Sequence, residues 1–203
     1  MRARWLAALL CALALPAAAQ ETATVAGRVA LPVEGVSLAD LGQTVVFLES
    51  SGTAPAPPRR EKLTVRQRNA RFAPDFLAIT PGQTVEMPND DAIFHNVFSF
   101  SKPNEFDLGL YAAGQSRQVT FEHAGVVKVY CSIHESMSAT IFVSPSPFFA
   151  VVSRSGEFEI RGAPLGRGRL RVWNEKLPQA GRDVVLHAGA NPRVEIPLAL
   201  GSR

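Results

Sequence analysis

Short runs of β-branched and alternating apolar residues, broken every few positions by glycine or proline, limit what this chain can fold into. Thr24–Ala30, Thr44–Glu49, Lys62–Gln67, Phe76–Ile79, Gln83–Met87, Ile93–Phe100, Gln118–Phe121, Val126–Cys131 and Thr140–Val143 each have the composition of a strand. Ala150–Val152, Glu157–Ile160, Arg169–Trp173, Asp183–His187 and Arg193–Leu198 continue the pattern. Pro81-Gly82 and Ala124-Gly125 mark turns between them. Glycine and proline number 15 each, and few helix-like periods stand beside them. The expected class is all-β, with short strands joined in Greek-key fashion into a sandwich.

Two breaks organise the chain. Ser51–Arg60 is a polar, proline-rich connector, and Ser144–Pro147 is a second. The block between them, residues 62–145, is long enough for one small sandwich. The segment before it offers only two or three strands, too few for a core of its own.

At the N-terminus, Arg2 and Arg4 precede an apolar run, Trp5–Leu15, and Ala17-Ala18-Ala19 offers a small-residue cleavage site. Residues 1–19 therefore read as a secretory signal peptide, which predicts a periplasmic or secreted protein with no membrane anchor after cleavage. Cys11 lies inside the apolar run, behind the bulky Leu10, which argues against lipidation. Losing the leader takes the formal net charge from +3 to about +1, too little to argue for nucleic acid. It also leaves Cys131 as the only thiol, so no internal disulfide is open to it.

Metal ligation explains an unpaired thiol in an oxidising compartment. Residues 131–137 read Cys-Ser-Ile-His-Glu-Ser-Met, and His95 lies upstream in Phe-His-Asn-Val. A thiolate, two imidazoles and a thioether form the set that suits a copper ion shuttling one electron: a His₂Cys plane with a weak axial Met. Cys131, His134 and Met137 fall at steps of three, so one tight loop can turn them toward one point. A lone Cys in a sandwich is usually a small core residue, and a lone His is usually solvated or structural. It is the joint pattern that argues for copper. Glu135 offers an oxygen, a poorer match to Cu(I). Asp90 and Asp91 follow Pro88-Asn89 and read as a turn. His123 reads as a solvated turn residue, Phe94 and Phe98 as packing, and Trp173 as core of the outer strands.

The middle block resembles the cupredoxins, the blue-copper fold of plastocyanin, pseudoazurin and amicyanin. Phe72-Ala73-Pro74, Ile79–Val85, Asn89-Asp90-Asp91, His95-Asn96-Val97, Phe121–Gly125 and Tyr130–Met137 carry the likeness. The spacing of Cys131, His134 and Met137 is that of amicyanin. The flanking segments give the whole a similarity to plastocyanin-like methylamine utilisation proteins. The resemblance implies one copper per chain held by His95, Cys131, His134 and Met137. It also implies a His134 edge near the surface as electron port, and a brace between Asn96 and Ser132 tying the two ligand segments together.

The outer pieces resemble a carboxypeptidase-regulatory-like, or transthyretin-like, sandwich. The pieces that match are Val25–Val29 and Val45–Leu48, then Ser155–Ile160, Ala163–Gly166 and Leu170–Val172. Its first part is expected over residues 20–56 and its second over 148–203, with the copper domain of residues 62–145 inserted between. The expected fold is thus a Greek-key cupredoxin sandwich plus a second small β-sandwich.

The function that follows is electron transfer between a donor and an acceptor redox protein, met transiently, with no enzymatic reaction. A copper storage or delivery protein is the alternative, but such sites tend to be rich in Met or His, and only three Met occur. A β-sandwich binding module is another, but residues 148–203 show no aromatic binding face. No Ser-His-Asp order, phosphate loop or H-E-x-x-H is present.

Overall fold

A computed structural model describes residues 21–31, 36–52, 56 and 62–199. The expected leader, with Cys11, and most of the connector Ser51–Arg60 lie outside the described residues. Within them the protein is built of β-strands, with a single 3₁₀ turn at Leu38–Leu41. No helix among the described residues is long and apolar enough to cross a membrane.

Two strands precede the middle block, β1 (Ala23–Ala30) and β2 (Thr44–Ser50). The block itself opens with β3 (Leu63–Thr64), β4 (Arg66–Gln67), β5 (Phe72–Ala73), β6 (Phe76–Ile79) and β7 (Gln83–Pro88). It continues with β8 (His95–Ser99), β9 (Phe106–Tyr111), β10 (Ser116–Phe121), β11 (Gly125–Tyr130) and β12 (Ser138–Val143). After it come β13 (Phe149–Val151), β14 (Glu157–Ala163), β15 (Gly166–Asn174), β16 (Ala180–Leu186), β17 (Gly189–Ala190) and β18 (Val194–Pro197).

In the middle block one sheet runs β6-β12-β11-β8-β9 and another β10-β7-β3, with β4 and β5 forming a small hairpin. Alternation along the strands sends Val85 and Met87, Val97, Val127 and Val129, and Ala139, Ile141 and Val143 into one shared core. Among the longer strands of this block, β9 has no sequence expectation behind it. Its register against β8 slips between Asn96 and Phe98, and Gly109, at φ 64°, supplies the backbone turn that this bulge needs.

The outer strands pair with each other across the whole length of the middle block. β1 joins β14, β17 and β18, and β2 lies between β13 and β15, with β16 beyond. Their core gathers Val25, Val46, Leu48, Phe158, Ile160, Leu170 and Val172 among others.

β2 reads Thr-Val-Val-Phe-Leu, a continuous apolar run, and the reason is that both of its faces are covered. Val46 and Leu48 point into the outer core, while Val45 and Phe47 turn the other way, onto Phe142 of β12. Trp173 belongs to this second set. Its ring stacks on Phe142 (centroids 4.6 Å, 26°) and on Phe76 (6.1 Å, 11°). It therefore joins the two strand sets instead of filling the outer core. The physical reason is the period of two, which puts it on the face opposite Leu170 and Val172. Lys128 of β11 adds a polar link at the same junction, donating to Thr140 and to Glu175.

Candidate metal centre

His95 is the first residue of β8, Cys131 the first after β11, and Met137 the last before β12. Adjacent pairing of β8 with β11 and of β11 with β12 therefore brings one histidine beside both ends of the ligand loop. The loop is closed by its own backbone: the Met137 N–H donates to the His134 carbonyl at 2.9 Å, and the Cys131 N–H to the Met137 carbonyl at 3.3 Å.

Three ligand atoms converge. Cys131 Sγ lies 3.7 Å from His95 Nδ1 and 3.9 Å from His134 Nδ1, and all three atoms fall within 4.8 Å of one another. Ion–nitrogen and ion–sulfur bonds of about 2.0 and 2.3 Å in a trigonal plane would set N and S about 3.7 Å apart. The spacing thus matches a single first-row ion held by two imidazoles and a thiolate. His95 and Cys131 are buried and His134 is half-buried. Met137 is buried in the same apolar cluster as Cys131. Thiolate, imidazole and a nearby thioether are the soft and borderline donors that copper takes in both oxidation states.

Around the ligands, the expected Asn96–Ser132 brace is replaced by another. The Asn96 amide donates to Asp107 Oδ1 at 2.7 Å, while Ser132 is exposed on the loop. The cause is the bulge in β9, which turns the Asp107 carboxylate toward Asn96 while it also accepts from the Gly109 N–H at 2.8 Å. Asn96 is thereby tied to the strand on its far side, away from the ligand loop.

Asp91 matters more than its turn position suggested. Its Oδ2 lies 2.8 Å from His95 Nε2, the ring nitrogen that faces away from the cysteine. The backbone N–H groups of Asn69 and Ala70 donate to the same carboxylate at 2.6 and 2.9 Å. Those two residues sit at φ 56° and 50°, the left-handed region, at the tip of the β4–β5 hairpin. Asn89, fully buried, holds the segment from the other side. Its Oδ1 accepts from the Asp91 N–H, and its Nδ2 donates to the carbonyls of Ile93 and Tyr111. Burial pushes the Asp91 carboxyl up, but the hydrogen bonds from Ala70, His95 and Asn69 outweigh it, and the group lies below the usual carboxylate range. The signal open to sequence reading was an acid in the turn just ahead of a candidate histidine ligand.

Phe94, expected as packing, is exposed, as are Ile93 and Ile133 on the segments that carry the ligand histidines. Phe98 packs on Phe100 and Tyr130. Asp90 pairs with Arg66 at 3.0 Å on the surface.

Residues 60–144 match the family model of copper binding proteins of the plastocyanin/azurin family. Over this segment, less than half of its length, the chain is similar to the cupredoxins, and copper is the cofactor of that family. Solved structures with similarity include a novel purple cupredoxin from Nitrosopumilus maritimus, at 26% identity over 41% of this chain and 100% of that one, TM-score 0.37. A methionine-to-alanine mutant of amicyanin in its Cu(I) form shows 21% identity over 49% of this chain and 98% of that one, TM-score 0.40. A reduced tryptophan-to-tyrosine mutant of amicyanin shows 22% over the same shares, TM-score 0.40. No curated protein matches the chain.

Proposed function

We propose that the protein is a type 1 copper electron carrier, one copper per chain, working in the periplasm or outside the cell. The observation that carries the reading is the convergence of His95 Nδ1, Cys131 Sγ and His134 Nδ1 at a backbone-locked loop of a cupredoxin-like segment. When bound, copper supplies the Cu(I)/Cu(II) couple, taking one electron from a donor protein and giving it to an acceptor. The chain supplies the rest. Cys131 would provide the thiolate, His95 and His134 the imidazoles, and Met137, buried in the same cluster as Cys131, would offer the thioether. Because β8, β11 and β12 hold the ligands, little has to move when the charge changes.

His134 is the half-buried ligand, and Ile133 beside it is exposed, so partners dock there briefly through a small, partly apolar surface. The outer strands fit a discontinuous, carboxypeptidase-regulatory-like sandwich over residues 20–56 and 148–203, and the whole fits the plastocyanin-like proteins of methylamine utilisation. The location rests on the leader expected over residues 1–19.

The test is voltammetry of the copper-loaded protein. Reversible one-electron exchange, with the same copper retained through many cycles, is expected of a carrier. Release of the ion on reduction or oxidation would contradict it and favour delivery.

A further inference from the structure

Among the described groups around the ligands, Asp91 is the carboxylate whose contact is a ligand's far nitrogen. We propose that Asp91 is a positioning residue of the copper site that fixes His95 with Nδ1 toward the metal and lowers the potential of the couple. The inference rests on the copper reading of His95, Cys131 and His134.

The β4–β5 hairpin turns through Asn69 and Ala70, both at positive φ, a conformation costly for a residue with a Cβ. It points two successive N–H groups at one carboxylate, a small anion-binding concavity. Asn89 fixes the same segment from behind. Asp91 is thus held by the chain around it, and its Oδ2, which accepts from the Ala70 N–H, also accepts from His95 Nε2 at 2.8 Å. A carboxylate acceptor at Nε2 requires the proton there, and so leaves Nδ1 as the free lone pair. His95 Nδ1 is the atom 3.7 Å from the thiol sulfur. The His95 side chain is fully buried and that of Asp91 is 13% exposed, so the negative charge acts through little solvent. It stabilises Cu(II), the more highly charged state, over Cu(I), and thereby lowers the potential.

The experiment compares the wild-type full chain with Asp91→Asn, which keeps shape and removes charge. In the variant the thiolate-to-copper band is expected to persist. Cu(II) affinity, by competition titration, is expected to fall about 10- to 100-fold. Cu(I) affinity should fall less, so the potential rises, by about 59 mV for each tenfold selective loss of Cu(II). An unchanged potential, or equal losses for both ions, overturns the proposal and leaves Asp91 a brace for the turn. Nitrogen-15 spectra of the copper-free wild type near pH 8 decide the orientation even where the variant does not fold. A proton on Nε2 of His95 is expected, and a proton on Nδ1 overturns it. A wild-type protein that binds Cu(II) without the thiolate band removes the copper reading itself. A band with no Asp91 effect removes only this inference.

Discussion

The ligand end of the middle sandwich and the face of β12 are held by opposite means. Around the ligands the buried polar side chains of Asn89, His95 and Asn96 are tied into hydrogen bonds: Asn89 with Asp91, Asp91 with His95, Asn96 with Asp107. Across the outward face of β12 the contact is apolar, with Phe142 packed on Phe47 and stacked with Trp173. Hydrogen bonds fix direction, and direction is what a set of metal ligands needs. Ring stacking and apolar burial fix contact without much direction, which suffices to join two strand sets. The same domain therefore carries a region tuned for geometry and a region built for adhesion.

The largest effect that separates the two regions is expected from Cys131→Ser. It should abolish the visible band of the Cu(II) protein while changing the unfolding free energy of the copper-free protein by only about 1 kcal/mol. A variant that keeps the band would break the assignment of the thiolate. Trp173→Ala tests the other region. Denaturant unfolding should show a loss of about 3 kcal/mol, the low end for a Trp truncation because the ring is only partly buried. The copper band should stay intact. A loss confined to copper binding would show that the two regions are not separable.

Tyr111 sharpens the comparison from inside the core. Its hydroxyl donates to the Met87 carbonyl at 2.8 Å, and the Gln67 amide donates to it. Burial pushes the phenol up to about 12. The unfolded chain releases this proton near pH 10, the folded one later, so the folded state binds more protons between the two values. Stability is thus held below about pH 10 and lost as pH rises toward 12. Tyr111→Phe should cost about 1 kcal/mol at pH 7 and flatten that alkaline decline, read from denaturant midpoints at pH 7 and 11. An equally steep decline in the variant would assign the titration elsewhere. The smallest effect is expected at the Lys128–Glu175 pair, which is part-exposed. Glu175→Gln should cost less than about 1 kcal/mol, vanishing at high salt. A larger, salt-independent loss would mean that the junction relies on charge as well as on stacking.

The difference between the two regions also explains what could be read in advance. The convergence of Cys131 and His134 was legible because such ligand types are rare together and a step of three brings them to one point. β7 was legible from its alternation, and β12 from its continuous β-branched and apolar run. β9 was not, because Gly109 and the bulge interrupt its period, and the partner of Asn96 was lost with it. Asp91 was hidden because a turn aspartate has an ordinary local explanation. Its contact with His95 depends on the hairpin at Asn69 and Ala70, which is remote in sequence. Trp173 was placed on the wrong side, although the same period of two that puts Leu170 and Val172 inward already sends it outward.

The most direct test is the visible spectrum of the purified full chain titrated with Cu(II). An intense thiolate-to-copper band that saturates at one ion per chain, and that Cys131→Ser abolishes, is the expected result. Stoichiometric Cu(II) binding without that band would contradict a type 1 copper site at His95, Cys131 and His134.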